Sequence, residues 1–294
     1  MRGVRVNAYG KINLFLDCVG KREDGYHEVK MIMQSVRLHD EVYIKKAKRN
    51  VIVSDSPYVP SNKNNLAMRA AILLQEKYRM PRVAIDITKN IPVSAGMAGG
   101  SADAAAVLVG CNKLFKLGLS EEELMRVAAK IGSDVPFCVK GGTAIAEGRG
   151  ERITALPELP KMHVVLARAD YGVSTAAVYQ AIRPEDIAPR EDLFAQMCAA
   201  IEKGDTHFIE AHVYNMLEIP SFRIEPRTAE RKRRIQAKSV DNVLMSGSGP
   251  TLFGIYATPE KAWESYKKMS QLFPNVYLTS TGGFDLINSR LFFR

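Results

Sequence analysis

Apolar and polar residues alternate with period two over the first part of the chain and recur at helical spacing in several later stretches. Val4 and Val6, then Ile12, Leu14 and Leu16, predict a strand. After the Asp24-Gly25 turn, Val29, Met31 and Met33 resume the alternation, which predicts a hairpin. Val42 and Ile44 with Val51 and Val53 predict another strand pair, and Val83, Ile85 and Ile87 a further strand. Helical spacing begins at Asn65 and runs through Leu66, Ala70, Leu73 and Leu74. Ser120 and Glu123 form a capping-box signature for a helix reaching Ile131 and closed by Gly132. Phe137 to Ala146 then predicts a strand interrupted at Gly141-Gly142.

Leu156-Pro157-Glu158-Leu159-Pro160 carries two helix- and strand-breaking prolines and predicts a linker. Beyond it, Val164 to Leu166 predicts a strand. Helices are predicted over Thr175 to Ile182, Leu193 to Lys203, Asp205 to Leu217 and Arg227 to Gln236. Val243 to Met245 and Thr251 to Tyr256 predict strands on either side of Ser246-Gly-Ser-Gly-Pro250. A helix over Glu260 to Phe273 and a strand over Val276 to Thr279 follow. A chain of 294 residues is long for one core. The expectation is two α+β domains, 1–159 and 160–294, with a cleft between them.

One segment breaks the alternation in an informative way. PVSAGMAGGSADAAA (Pro92 to Ala106) places Gly96, Gly99 and Gly100 between a predicted strand and a run of helix formers. A glycine-rich turn feeding a helix N-terminus presents unpaired N–H groups and the positive end of the helix dipole at one spot, which suits phosphate. Neither familiar phosphate signature fits. No lysine follows Gly100, and GMAGGS is not GxGxxG. The competing reading is tight helix–sheet packing.

An apolar fraction of 46% and a charged fraction of 25% are those of an ordinary globular protein. No apolar run approaches the roughly 20 residues of a membrane span, and the polar N-terminus is not a signal peptide. Cys18, Cys111, Cys138 and Cys198 lack metal-ligand spacing, so buried thiols in a reducing cytoplasm are expected. The net charge of +9 favours an anionic partner, either nucleic acid or a phosphorylated small molecule. Arg223 to Lys238 is the densest basic stretch, but it lacks interleaved aromatics. A solvated helix face is expected there, with no nucleic-acid partner and no membrane.

Four further segments stand in order with the glycine loop: AYGKINLFL (Ala8 to Leu16), DGYHEV (Asp24 to Val29), IGSDVPF (Ile131 to Phe137) and MSGSGPTLFG (Met245 to Gly254). Together they resemble, nearly end to end, the small-molecule kinases of the galactokinase–homoserine kinase–mevalonate kinase (GHMP) superfamily. AYGKINLFL with DGYHEV resembles one branch of it, which acts on a cytidine-diphosphate-linked methylerythritol in non-mevalonate isoprenoid biosynthesis. The resemblance implies an α+β two-domain fold with the active site in the cleft. It also implies ATP as donor, with Mg²⁺ on the triphosphate.

It further implies roles for particular residues. ATP would lie on Pro92, Val93, Ser94, Ala95, Gly96, Met97, Ala98, Gly99, Gly100, Ser101 and Ala102, with adenine near Asn65 and Leu66. As a helix cap and a buried leucine, Asn65 and Leu66 would look the same. Asp134 suits the base that takes a hydroxyl proton, and Pro136 is expected to hold Val135 extended so that the carboxylate points into the cleft. Lys11 lies oddly among apolar strand neighbours, and the likeness places it beside Asp134. Tyr26 offers a face to stack on a base and His27 an edge to bond it. Asn13, Thr175 and Tyr179 complete the substrate group, although a cap at Ser174 with a core tyrosine explains the last two equally well. Mg²⁺ is expected on phosphates and water, nearest Ser101. The Ser246–Pro250 turn is read either as facing the diphosphate or as a plain hairpin. Two departures from relatives are Ala102 in place of a second serine and Tyr9-Gly10 before Lys11.

Overall fold

The computed structural model describes residues 3–240, 242–283, 286 and 292–293. Two long strands, β1 (Gly3–Lys21) and β2 (His27–Lys46), make the predicted hairpin and pair from Gly3↔Lys45 to Lys21↔His27. Their turn carries Gly25 at φ 82°, a conformation costly for other residues. Next come β3 (Val51–Ser54), α1 (Leu66–Tyr78), β4 (Val83–Thr88) and α2 (Gly99–Leu114). α3 (Glu121–Ala128), α4 (Val135–Lys140), β5 (Thr143–Gly148) and β6 (Arg152–Ala155) complete this half. The first half of β2 pairs with β5 and its second half with β4, so one strand anchors both ends of the sheet.

α2 lies on β1 and β2 beside α1. Its residues from Ala102 to Cys111 are all buried, and most are small. Close approach is the reason: a Cβ at Gly110 would stand 2.6 Å from Ile44 Cδ1. The sequence places alanine and glycine where this helix must sit near the sheet.

Residues 156–162 lead to a second sheet. β7 (His163–Ala167), α5 (Thr175–Gln180), α6 (Glu191–Lys203), α7 (Thr206–His212) and β8 (Tyr214–Asn215) come first. α8 (Glu218–Ile224), α9 (Pro226–Gln236), β9 (Val243–Met245), β10 (Leu252–Tyr256), α10 (Pro259–Ser270), β11 (Val276–Ser280) and β12 (Phe292–Phe293) follow. The second sheet has the order β11-β7-β10-β9, antiparallel throughout. β8 and β12 instead return to the first sheet and pair with β1. β1 is therefore buried without a break from Gly10 to Cys18.

Several expectations need correction. Val42 and Ile44 do not pair with Val51 and Val53; they continue β2, and β3 runs parallel to β4 instead. No turn residue interrupts β2, so its alternation simply goes on. Phe137 to Lys140 is helix α4, not strand, and Val135 is its first residue rather than extended. Pro136 is tolerated there because first-turn N–H groups have no intrahelical partner. The continuous apolar run offered no period to distinguish helix from strand. The helix from Asp205 stops at His212, since Tyr214-Asn215 is drawn into β8, and α8 was not predicted. α3 ends at Ala128, short of Ile131, although its capping box is present.

The basic stretch is α9 and its approach, and much of its charge is engaged internally. Arg223 bonds Asp186 at 2.8 Å, Lys232 bonds Glu218 at 2.7 Å, and Arg233 bonds Glu230 at 2.8 Å. Arg231 lies over the Phe273 ring at 3.9 Å.

Candidate active site

A cavity of about 960 Å³ opens among the hairpin turn, the glycine loop, the start of α4, the β5–β6 turn, α5 and the turn after β9. The glycine loop enters α2 with Ser94 at φ 54°, Gly96 at 72° and Ala98 at 57°. Two of these are non-glycine residues in the left-handed region, a strain that persists where the surroundings impose it. Ala98 is the N-cap of α2 and supplies no capping side chain. The first N–H groups of the helix are thus left for an anion in the cavity. Pro92, Val93, Ser94, Ala95, Gly96, Ala98, Gly99, Gly100 and Ser101 all line it, as do Asn65 and Leu66. Met97 and Ala102 do not; both are buried in the core. A second serine at position 102 would therefore put its hydroxyl in the interior, not in the cavity.

Lys11 is 4% exposed, and the strand geometry explains its aim. The β1–β2 register slips between Tyr9 and Lys11 and again between Asn13 and Phe15. Such irregularities redirect side chains and free backbone groups from the ladder. The Lys11 N–H donates to the Met97 carbonyl in the glycine loop at 3.1 Å. Its ammonium donates to Asn13 Oδ1 at 2.7 Å, while the Asn13 amide reaches Met31 Sδ at 3.4 Å. Asn13 is wholly buried and does not line the cavity. It holds the lysine.

Asp134 is the N-cap of α4, and its side chain caps nothing. Its half-buried carboxylate faces the same cavity as Lys11 without ion-pairing to it, so it is available to an incoming hydroxyl. At the other end, Tyr26 is 54% exposed beside His27, whose ring lies 5.7 Å from that of Tyr179. Burial lowers the His27 pKa below 6.5, helped by the charge of Lys21, so the imidazole is neutral at pH 7. Thr175 shares a 2.8 Å hydrogen bond with Ser248, and Ser174 caps α5. The Ser174 cap is therefore present, and Thr175 and Tyr179 also line the cavity. Asn65 caps α1 through Oδ1 and donates to the Pro60 carbonyl at 2.9 Å, so its carboxamide is largely engaged.

The Ser246–Pro250 turn presses on the glycine loop. Ser246 Oγ donates to the Gly96 carbonyl at 3.0 Å. A Cβ at Gly247 would lie 3.3 Å from Lys11 Nζ. The turn is held from behind by Asn215, which the sequence reading missed. Its buried amide donates to the Met245 and Gly247 carbonyls, both at 2.7 Å, and its Oδ1 accepts from Leu217 N–H at 2.9 Å. Asn215→Ala leaves three buried groups without partners and is expected to cost at least about 2 kcal/mol. Denaturant unfolding measures that loss, and kcat should fall with it as the turn loosens beside Lys11.

Lys89 and Asp103 also line the cavity and carried no signal in the sequence. Lys89 bonds Asp40 and, at 2.8 Å, Asp103. Burial raises the Asp103 carboxyl to about 7, against the pull of Lys89 and with the push of Asp40. Its Oδ1 has no hydrogen-bond partner among the described residues.

The comparisons with known proteins agree with this geometry. The GHMP kinases N terminal domain model matches residues 65–142, and the GHMP kinases C terminal model matches residues 197–275. The 4-diphosphocytidyl-2-C-methyl-D-erythritol kinase of Bacillus cytotoxicus is 47% identical over 276 residues, 92% of this chain and 94% of its own. The protein of the same name from Acetivibrio thermocellus is 41% identical over 283 residues, 96% of this chain and all of its own. A crystal structure of 4-(cytidine 5'-diphospho)-2C-methyl-D-erythritol kinase is similar at TM-score 0.78 and 33% identity, covering 95% of this chain and 100% of that one. Mevalonate kinase from L. major, at 15% identity and TM-score 0.72, covers 95% of this chain and 96% of its own and shares the fold. The chain belongs to the GHMP kinases and, within them, to the family of 4-diphosphocytidyl-2-C-methyl-D-erythritol kinases.

Proposed function

We infer that the protein transfers the γ-phosphoryl group of ATP to the 2-hydroxyl of 4-diphosphocytidyl-2-C-methyl-D-erythritol. One observation carries the reading: a single cavity holds an uncapped helix N-terminus on a glycine loop, an unpaired carboxylate and an exposed tyrosine beside a neutral histidine. Asp134 takes the proton of the attacking hydroxyl, and Lys11, steadied by Asn13, offsets the charge that develops there. The glycine loop and the first turn of α2 hold the triphosphate. Tyr26 stacks on cytosine and His27 bonds its edge, with Thr175 and Tyr179 closing over them.

Mg²⁺ belongs to this reading as a phosphate-bound ion. Ser101 is the nearest side chain assigned to it, and the unpartnered Asp103 oxygen two residues on suits a cation at that end of the cavity. Among the described residues no cluster of three or more His, Cys, Asp or Glu could hold a metal alone. When bound, the ion neutralises charge on the phosphates and polarises them. The reading places the protein in the cytoplasm, in keeping with buried free thiols at Cys18, Cys111 and Cys138. It needs no nucleic acid, and the internal pairing of the basic helix favours that.

A coupled ATP-consumption assay with 4-diphosphocytidyl-2-C-methyl-D-erythritol, homoserine and mevalonate tests the inference. Turnover with the first alone is expected; turnover only with either of the others would overturn it. A pH series adds a second check. Because the His27 pKa is depressed below 6.5, KM for the acceptor should hold steady through neutral pH and rise only at more acidic pH, as the ring protonates and loses its acceptor nitrogen. His27→Gln should raise KM but remove that rise.

A further inference from the structure

The cations around the cavity differ in one respect that the reading above leaves unused. Lys11 is committed to Asn13, and Lys89 to Asp40 and Asp103. The Arg149 guanidinium also lines the cavity, yet it makes no hydrogen bond among the described residues, and its nearest carboxylate, Glu151, is 4.0 Å away. It lies 4.8 Å from the centroid of the exposed Tyr26 ring. A guanidinium over an aromatic face keeps its planar fork of donors directed outward.

The turn that carries Arg149 is placed by its own glycines. Gly148 and Gly150 have φ of 73° and 104°, and the Gly148 N–H donates to Glu28 Oε1 at 3.1 Å. The Arg149 N–H donates to Glu151 Oε2 at 2.7 Å, which closes the turn. A Cβ at Gly150 would lie 3.7 Å from Ser133 Cβ, next to Asp134. One short turn therefore touches Tyr26 on one side and the neighbour of Asp134 on the other.

An acceptor with its base on Tyr26 and its hydroxyl at Asp134 must run its diphosphate between those two points. We propose that Arg149 binds that diphosphate and so sets the specificity of the acceptor site for a nucleoside diphosphate over a bare nucleoside. The proposal rests on the function given above. Charge-assisted, bidentate bonds to phosphate are the strong ones.

The experiment titrates CDP and cytidine separately into the full-length protein and its variants by calorimetry. Wild-type protein should bind CDP more tightly than cytidine. Arg149→Met keeps the apolar stem and should lose about tenfold or more of that preference, with cytidine affinity retained. Arg149→Lys should keep part of it as a point charge. In the kinase assay the loss should fall on KM for the acceptor rather than on kcat or KM for ATP. A CDP-to-cytidine ratio unchanged in Arg149→Met would overturn the proposal while leaving the kinase reading intact. Wild-type protein that neither binds CDP nor phosphorylates the cytidine-linked acceptor would overturn both.

Discussion

Asp134→Asn should lower kcat by about 10²- to 10⁴-fold, the usual range for a lost general base. The exchange keeps size and hydrogen bonding but cannot take a proton. Because the carboxylate caps nothing and pairs with no cation among the described residues, the variant should fold as the wild type does. KM for ATP should change little. Lys11→Ala should also lower kcat, since the charge it supplies matters most in the transition state. If the two residues act as one unit, the double variant will be hardly worse than the worse single variant. Steady-state kinetics on the four proteins decide this. An Asp134→Asn enzyme with wild-type kcat would remove the aspartate from the mechanism.

Gly96→Ala should be nearly as damaging, for a different reason. The residue has φ 72°, and an added methyl would collide with the Ser246 carbonyl, a backbone atom that no rotamer change can move aside. Either the glycine loop or the Ser246–Pro250 turn must shift. Displacement of phosphate-holding groups by about 1 Å can cost on the order of 10²-fold in rate. The expected result is a fall of that order in kcat/KM for ATP, with a lowered Tm. Gly20→Ala, at a position with open space around it, is the control. Equal behaviour of the two variants would mean that the loop and the turn do not press on each other.

What the sequence revealed follows the range of the interactions involved. The hairpin, the capped helices α1 and α3 and the glycine loop are local patterns, and each is present. Asp24-Gly25 selects its turn, and Ser120 with Glu123 caps its helix, whatever lies elsewhere in the chain. α4 stayed hidden because a helix buried on all sides carries no period, even though Asp134 at its start was legible. Asn215 was hidden for a second reason. Its partners at Met245 and Gly247 are far along the chain, and a two-residue strand leaves no pattern. Lys89 and Asp40 meet only through tertiary packing, across 49 positions. Arg149 sat in a glycine turn whose purpose appears only when Tyr26 is seen beneath it.

The slip in β1 at Gly10 has a mechanical consequence. Lys11 is tied to the glycine loop through its own peptide N–H, by the bond to Met97, and not through its side chain. One main-chain hydrogen bond thus splices the inner strand of the sheet to the loop, so a change that displaces the loop at Met97 also breaks a backbone pairing at Lys11. The ammonium itself stays fastened within its own strand, to Asn13. Asp134 stands on a separate helix, α4, outside this linkage.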